Sequence, residues 1–259
     1  GTERAYITFI MADSGFLRRN VMRRIKLIVA YDGTEYSGWQ IQPEAPTIEM
    51  YLDKAIHELT GENVHVTGAS RTDAGVHAYG NVAVFDTEST IPGDRFTFAL
   101  NRFLPDSIVI QDSWEVAGDF HPRHCNTRKT YEYRILNTAV PLPQKRNFTW
   151  HVAGSIDIKK MREAAAYIVG EHDFKSFCCV KTQAESTVRT IYSLEILQEG
   201  NEIIIRIKGN GFLYNMVRII TGTLIQVGKG RFEPEYVKQM LEAKDRTVAG
   251  QTAPPQGLT

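Results

Sequence analysis

An α+β fold of two β-α-β-β-α-β halves is what this 259-residue sequence predicts, and three observations carry that prediction. Apolar side chains alternate at Ile25, Leu27, Val29 and Tyr31, the period of a half-buried strand. A helix-period set at Ile48, Leu52, Ala55, Ile56 and Leu59 follows it, bracketed by Thr47 and Gly61. The same order of strand and helix signals then returns after residue 118.

In the first half, the strand ending at Tyr31 turns at Asp32-Gly33, and Thr47 caps the first helix, which Gly61 stops. Strands are predicted over Val64–Thr67 and Asn81–Asp86, with a polar loop between them. A second helix over Asp94–Phe103 ends before Pro105, and a strand over Ile108–Val116 completes the half. The second half repeats the series with strand Thr130–Leu136, helix Asp157–Val169, strands Val188–Leu197 and Glu202–Lys208, and helix Phe212–Val227. A last helix is expected over Pro234–Ala243, and the series still calls for one closing strand after Leu258. Two such halves, of the ferredoxin-like or RRM-like kind, most economically set their strands side by side as one combined antiparallel sheet. Helices would cover one face and a polar groove would lie between the halves. The expected divisions are a 1–21 extension, an N-terminal half over 22–117 and a C-terminal half over 118–259. The extension has weak periodicity before Met22 and reads as a tag or fusion scar, with a flexible arm as the alternative.

Composition narrows the function. Lysine plus arginine number 30 and aspartate plus glutamate 30, so a polyanionic ligand would have to be met by a local basic groove. Cys125, Cys178 and Cys179 offer neither a full disulfide set nor a zinc spacing, which fits a reducing cytoplasm. A membrane span needs about 18 consecutive apolar residues, and no such run occurs.

Three segments carry chemistry. Gly68-Ala69-Ser70-Arg71-Thr72-Asp73-Ala74-Gly75-Val76-His77 places one carboxylate among small residues that admit a substrate, with Arg71 on the same side if the chain is extended. On that reading Asp73 is exposed and held ionised. Phe120 to Arg134 interleaves Arg123, Arg128, Lys129 and Arg134 with Tyr131 and Tyr133, a composition suited to phosphates and stacked bases, and equally to a charged linker entering a half-exposed strand. Lys208 to Arg218 is a glycine turn feeding an apolar helix, without the spacing of a phosphate loop. Within it Arg218 either pairs with a carboxylate such as Asp73 or lies solvated on the outer face. His121, His124 and Cys125 are three of the four ligands a zinc site needs, and no fourth is visible. His77 could touch substrate or satisfy a loop carbonyl, and Asp173 beside His172 reads as part of a helix terminus.

These residues give the chain a resemblance that runs almost from end to end. Ile25-Lys26-Leu27-Ile28-Val29-Ala30-Tyr31-Asp32-Gly33-Thr34, Tyr36-Ser37-Gly38-Trp39-Gln40, Arg71-Thr72-Asp73-Ala74-Gly75-Val76-His77-Ala78, Phe120-His121-Pro122-Arg123 with Lys129-Thr130-Tyr131, Met216-Val217-Arg218 and Ala253-Pro254-Pro255-Gln256-Gly257-Leu258 together resemble the TruA family of tRNA pseudouridine synthases. Ser70 departs from it, standing where many relatives carry glycine. The resemblance implies a cytoplasmic homodimer that isomerises uridine in the anticodon stem-loop of tRNA, at tRNA positions 38 to 40, with no metal or cofactor. It implies Asp73 as nucleophile, attacking ribose C1′ or uracil C6, with Tyr131 packed on the base and Arg218 paired with the aspartate. Arg71 would help extrude the base, Leu258 would lie beneath it, and His77, Arg123 and Lys129 would contact substrate. Two other readings stay open: a non-catalytic RNA-binding module, and a metal-dependent hydrolase, which would need ligands clustered around Asp73.

Overall fold

The computed structural model describes residues 21–124, 128–180, 182 and 184–259. Its N-terminal half is a four-stranded sheet in the order β2-β3-β1-β4, formed by β1 (Arg23–Tyr31), β2 (Thr67–Gly68), β3 (Ala78–Thr87) and β4 (Ile108–Val116), all antiparallel. The alternation in β1 buries Ile25, Leu27 and Val29 completely. Opposite them pack α1 (Ile48–Thr60) and α2 (Phe96–Asn101), in a core that includes Leu52, Ile56, Phe85, Phe96 and Leu100. Thr47 caps α1 by accepting from the Met50 N–H, and Gly61 ends it in the left-handed region at φ 76°.

The C-terminal half carries a five-stranded sheet in the order β6-β5-β9-β8-β7. Its strands are β5 (Lys129–Leu136), β6 (Trp150–His151), β7 (Gly170–Asp173), β8 (Val188–Glu199) and β9 (Glu202–Gly209). Only the β5–β6 pair is parallel. Helices α3 (Ile158–Ile168), α4 (Met216–Gly228) and α5 (Tyr236–Ala243) share its core with Tyr133, Ile135, Ile205 and Ile207. Eleven of the thirteen residues of α4 are buried, so it is the central helix of this half.

The expected combined sheet is realised as two separate ladders. After the second residue of β2 the chain leaves the sheet into loop 69–77, and the halves are joined there by bonds outside any strand ladder. Lys129 Nζ donates to Ala69 O (2.7 Å), Arg123 Nε to Gly68 O (2.8 Å) and the His77 N–H to Leu258 O (3.0 Å). Residues 64–66, expected as strand, are held otherwise: the Val66 N–H bonds to Asp53 of α1 at 2.9 Å. The second helix divides into a 3₁₀ turn at Gly93–Arg95 and α2, and the short strands β6 and β7 were not foreseen. The largest displacement is at α4, which starts at Met216, four residues after the expected Phe212, because Asn215 takes a left-handed conformation at φ 61°.

The end of the chain crosses α4 and enters the space between the sheets. At Gly222 a Cβ would lie 1.8 Å from Gln251 O, so only glycine admits the crossing. The Ala253 N–H then bonds to Arg218 O (3.0 Å), Tyr133 Oη donates to Pro254 O (2.6 Å), and Leu258 forms an antiparallel bridge with Tyr133. Thr259 exchanges two backbone hydrogen bonds with Glu132. No helix among the described residues is long and apolar enough to cross a membrane.

Candidate active site

Between the halves lies a cleft of about 550 Å³, walled by loop 69–77 on one side and by Tyr131, residues 212–218 and Leu258 on the other. Loop 69–77 is rigidly held because its backbone is bonded on several sides. The Trp39 N–H donates to Thr72 O (3.0 Å), the Gly75 N–H to Tyr36 O (3.3 Å) and the Val76 N–H to Asp73 O (3.1 Å). Gly38, at φ 91°, brings the Tyr36–Trp39 segment so close that a Cβ there would lie 2.6 Å from Thr72 O. The loop turns at Ala74-Gly75, just after Asp73, and Arg71 and Asp73 both line the cleft.

Asp73 Oδ2 accepts from Arg218 Nη1 at 3.1 Å, across 145 residues of sequence. The two side chains are 21% and 15% exposed, which corrects both the exposed carboxylate and the solvated arginine among the expectations. Arg218 is on the first turn of α4, where its Nε donates to Ala253 O (2.8 Å) and its Nη1 also to Asn215 Oδ1 (3.1 Å). Burial pushes the Asp73 carboxyl above its ordinary value, and the charge and hydrogen bond of Arg218 oppose that rise. The net direction is upward, so the carboxylate is more basic than an exposed one; it is not held lower by its arginine.

Tyr131 stands on β5 with its ring edge-on to Phe212 at 5.1 Å. Burial raises its phenol from the ordinary value; a hydrogen bond with Ser70 opposes this and the Asp73 charge adds to it. Leu258 is 6% exposed and supplies an apolar floor. Arg71 is exposed at the rim, while Arg123 and Lys129, both lining the cleft, also tie down the loop through Gly68 O and Ala69 O. Burial and the nearby Arg71 together pull the Arg123 guanidinium below its ordinary value.

His77 lies on the wall of a second cavity, which Lys129 and Tyr131 also line. It is 3% exposed and does not line the Asp73 cleft. Its Nδ1 accepts from the Gly33 N–H (3.0 Å), which leaves Nε2 to donate to Asn147 O (2.7 Å) and Gln256 O (3.1 Å). Of its two readings, satisfaction of loop carbonyls matches these bonds. His121 and His124 stack at 4.0 Å, and Cys125 lies outside the described residues. Among the described residues no group of three or more His, Cys, Asp or Glu could hold a metal ion. Asp173 accepts from Thr187 and the Lys175 N–H, and His172 bonds to Val169 O, so they form no acid–base pair. Asn215, Phe212 and Tyr214 belong to the site without having been singled out; the available signal was Asn215 standing three residues before Arg218, one helical turn away.

The cleft thus gathers a half-buried carboxylate, its paired arginine, a tyrosine and basic side chains, the kind of concave, polar-lined site in which enzymes hold substrates. The sequence profile of the family described as tRNA pseudouridine synthase matches residues 27–124 and 164–259, which include Asp73 and Arg218. A tRNA pseudouridine synthase A of Ruminiclostridium cellulolyticum is 50% identical over 238 residues, 92% of this chain and 97% of that protein. One from Brevibacillus brevis is 48% identical over 238 residues, 92% of this chain and 98% of its own. A tRNA pseudouridine synthase A 2 of Clostridium perfringens is 49% identical over 237 residues, with coverages of 92% and 97%. The chain belongs to the tRNA pseudouridine synthase family, and thus among the isomerases that act on tRNA.

Proposed function

We propose that this chain converts uridine to pseudouridine in the anticodon stem-loop of tRNA, with Asp73 as the nucleophile. The observation that carries the reading is the 3.1 Å pairing of Asp73 with Arg218 inside a cleft floored by Leu258 and flanked by Tyr131. A carboxylate fits because it can attack an electrophilic carbon and later leave. In one route Asp73 attacks ribose C1′, the C1′–N1 bond breaks and uracil departs as an anion. The ring turns, C5 bonds to C1′ as the ester to Asp73 breaks, the C5 proton leaves and N1 takes up a proton. In the other route the carboxylate adds to uracil C6, the C1′–N1 bond breaks and C1′ bonds to C5, and the C6–O bond to Asp73 then breaks as the C5 proton leaves and N1 takes up a proton. Either way product and substrate contain the same atoms, and the reaction needs no redox partner.

In this reading Arg218 retains the anionic form of Asp73 against the pull of burial, and burial keeps that anion basic. Tyr131 covers the uracil and its hydroxyl takes part in removing the C5 proton. A paired uridine must first be flipped out at a cost of a few kcal/mol, which Arg71, exposed at the rim, would offset by entering the gap. Arg123 and Lys129 would meet phosphates. The proposal extends to a cytoplasmic homodimer with one tRNA touching both subunits, which lets a chain of zero net charge bind a polyanion through segregated basic residues.

The test is tritium release from tRNA labelled at uracil C5. Asp73→Asn is expected to lose turnover by about 10³-fold or more while tRNA affinity stays within about twofold. It should also melt no lower than the parent near neutral pH. The folded carboxyl sits above 3.8, so stability from that group is full below 3.8 and is lost as pH rises through the folded value, a loss the amide does not suffer. Near-normal release by Asp73→Asn would remove the nucleophile assignment. Release by neither protein with tRNA binding intact would indicate an RNA-binding module.

A further inference from the structure

Both flanks of Arg71 are fastened by a buried hydrogen-bond chain that takes no part in the chemistry described above. Strand pairing between β2 and β3 ends with Gly68 opposite Ala83, and the Ala69 N–H still reaches Val82 O at 2.7 Å. The next rung would pair Ser70 with Asn81 through their backbones. Instead the Asn81 side chain supplies it: Oδ1 accepts from the Ser70 N–H at 3.1 Å and Nδ2 donates to Ser70 O at 2.9 Å. This reciprocal pair also settles the amide orientation, since the flipped form would face donor with donor and acceptor with acceptor. Asn81 Nδ2 reaches on to Tyr31 Oη at 3.5 Å, and that hydroxyl bonds to Thr72 Oγ1 at 2.7 Å. Asn81 is 7% and Tyr31 5% exposed. Two polar groups are therefore buried to hold the residue before Arg71 and the residue after it, while Arg71 itself stays exposed on the cleft.

We infer that Asn81 and Tyr31 are positioning residues for the reaction, a clamp that sets the path of residues 70–73 and hence the placement of Arg71 and Asp73. The physical reason is a spacing. A side-chain rung holds the loop one amide length away from β3, where a backbone rung would draw it into the sheet and away from Tyr131 and Arg218. Thr72 is pinned twice, by its hydroxyl to Tyr31 and by its carbonyl to the Trp39 N–H. Such second-layer fastening holds reacting groups in register without touching them. The inference rests on the proposed roles of Asp73 and Arg71, so its test includes a readout that does not depend on activity.

Tyr31→Phe deletes one oxygen and keeps the ring beside Trp39, with which it makes a tilted contact at 6.0 Å. Asn81→Leu keeps the number and branching of side-chain heavy atoms, though its methyls are bulkier, and leaves the Ser70 peptide without its partner. Each is compared with the parent by melting temperature, hydrogen exchange of peptide 68–77, tRNA affinity, and kcat and KM for tritium release. Faster exchange confined to that peptide is expected, with kcat lower by about tenfold in Tyr31→Phe and about a hundredfold in Asn81→Leu, while KM and tRNA affinity hold within about twofold. Unchanged exchange overturns the clamp. Faster exchange with kcat intact, or a loss confined to KM, overturns the positioning role. Accelerated exchange in a protein that, like its parent, releases no tritium would sink the synthase reading and uphold the clamp. If Asn81→Leu does not fold, Tyr31→Phe alone decides.

Discussion

Helices α1 and α4 have the same length, thirteen residues, and opposite designs. Helix α1 buries one face, is capped by Thr47 and stops at a left-handed glycine, as an isolated amphipathic helix would. Helix α4 is buried nearly all round and has no side-chain cap; it starts at a left-handed Asn215 whose side chain bonds to Arg218. Its first turn is thus organised around the Asp73 pair, with local helix rules overridden. The contrast separates a helix that holds a sheet together from one that delivers a charged group to a cleft, and it predicts which substitutions cost activity and which cost only stability.

The sharpest test of that division is Arg218→Lys, which keeps the charge but loses the fork that joins Asp73, Asn215 and Ala253. We expect kcat to fall by about a hundredfold. In the proposed reaction Asp73 attacks as the anion, so the rate is expected to drop as pH falls through its raised folded value. With a weaker partner opposing burial, that value climbs and the acid limb of the pH–rate profile moves to higher pH. A limb that stays in place would break the assignment of Arg218 as the group that keeps Asp73 anionic. Next comes Gly222→Ala, where the new Cβ meets Gln251 O at 1.8 Å. About 2–3 kcal/mol of destabilisation is expected, read as a melting temperature lower by about 5–10 °C, together with lost activity as the segment leading to Leu258 is displaced.

Smaller effects sharpen the comparison. Asn215→Gly keeps the left-handed start at no steric cost and removes the oxygen bonded to Arg218, so kcat should fall several-fold with the melting temperature nearly unchanged. An equal fall in stability would mean that Asn215 serves the helix and not the arginine. Thr47→Ala on α1 should cost about 1 kcal/mol by chemical denaturation and leave kcat alone, because its cap contact with Met50 lies on the structural helix.

Legibility in the sequence follows the same line. The alternation of β1, the cap and stop of α1 and the strand at Ile108–Val116 could be read residue by residue, since each depends on neighbours within a few positions. The start of α4 could not, because residues 212–215 have helix-compatible composition and are held out of the helix by bonds such as Asn215 to Arg218 and the Cys179 N–H to Tyr214 O. The brevity of β2 has a similar origin: Val66 gives its N–H to Asp53, a partner thirteen residues away on another element.

At the site, the string Arg71 to His77 marked the carboxylate by its small neighbours, and the anomaly of an arginine in an apolar helix marked Arg218. Local chemistry alone thus determined two strand–helix series, one loop fit for substrate approach and one charge in need of a partner. Only the tertiary structure decided that the two charges meet, that burial outweighs the arginine at Asp73, that His77 is spent on backbone groups and that Asn81 stands in for a missing rung of sheet. Each of those depends on distances between segments remote in sequence and on the water they exclude, and neither quantity is encoded in any short stretch of residues.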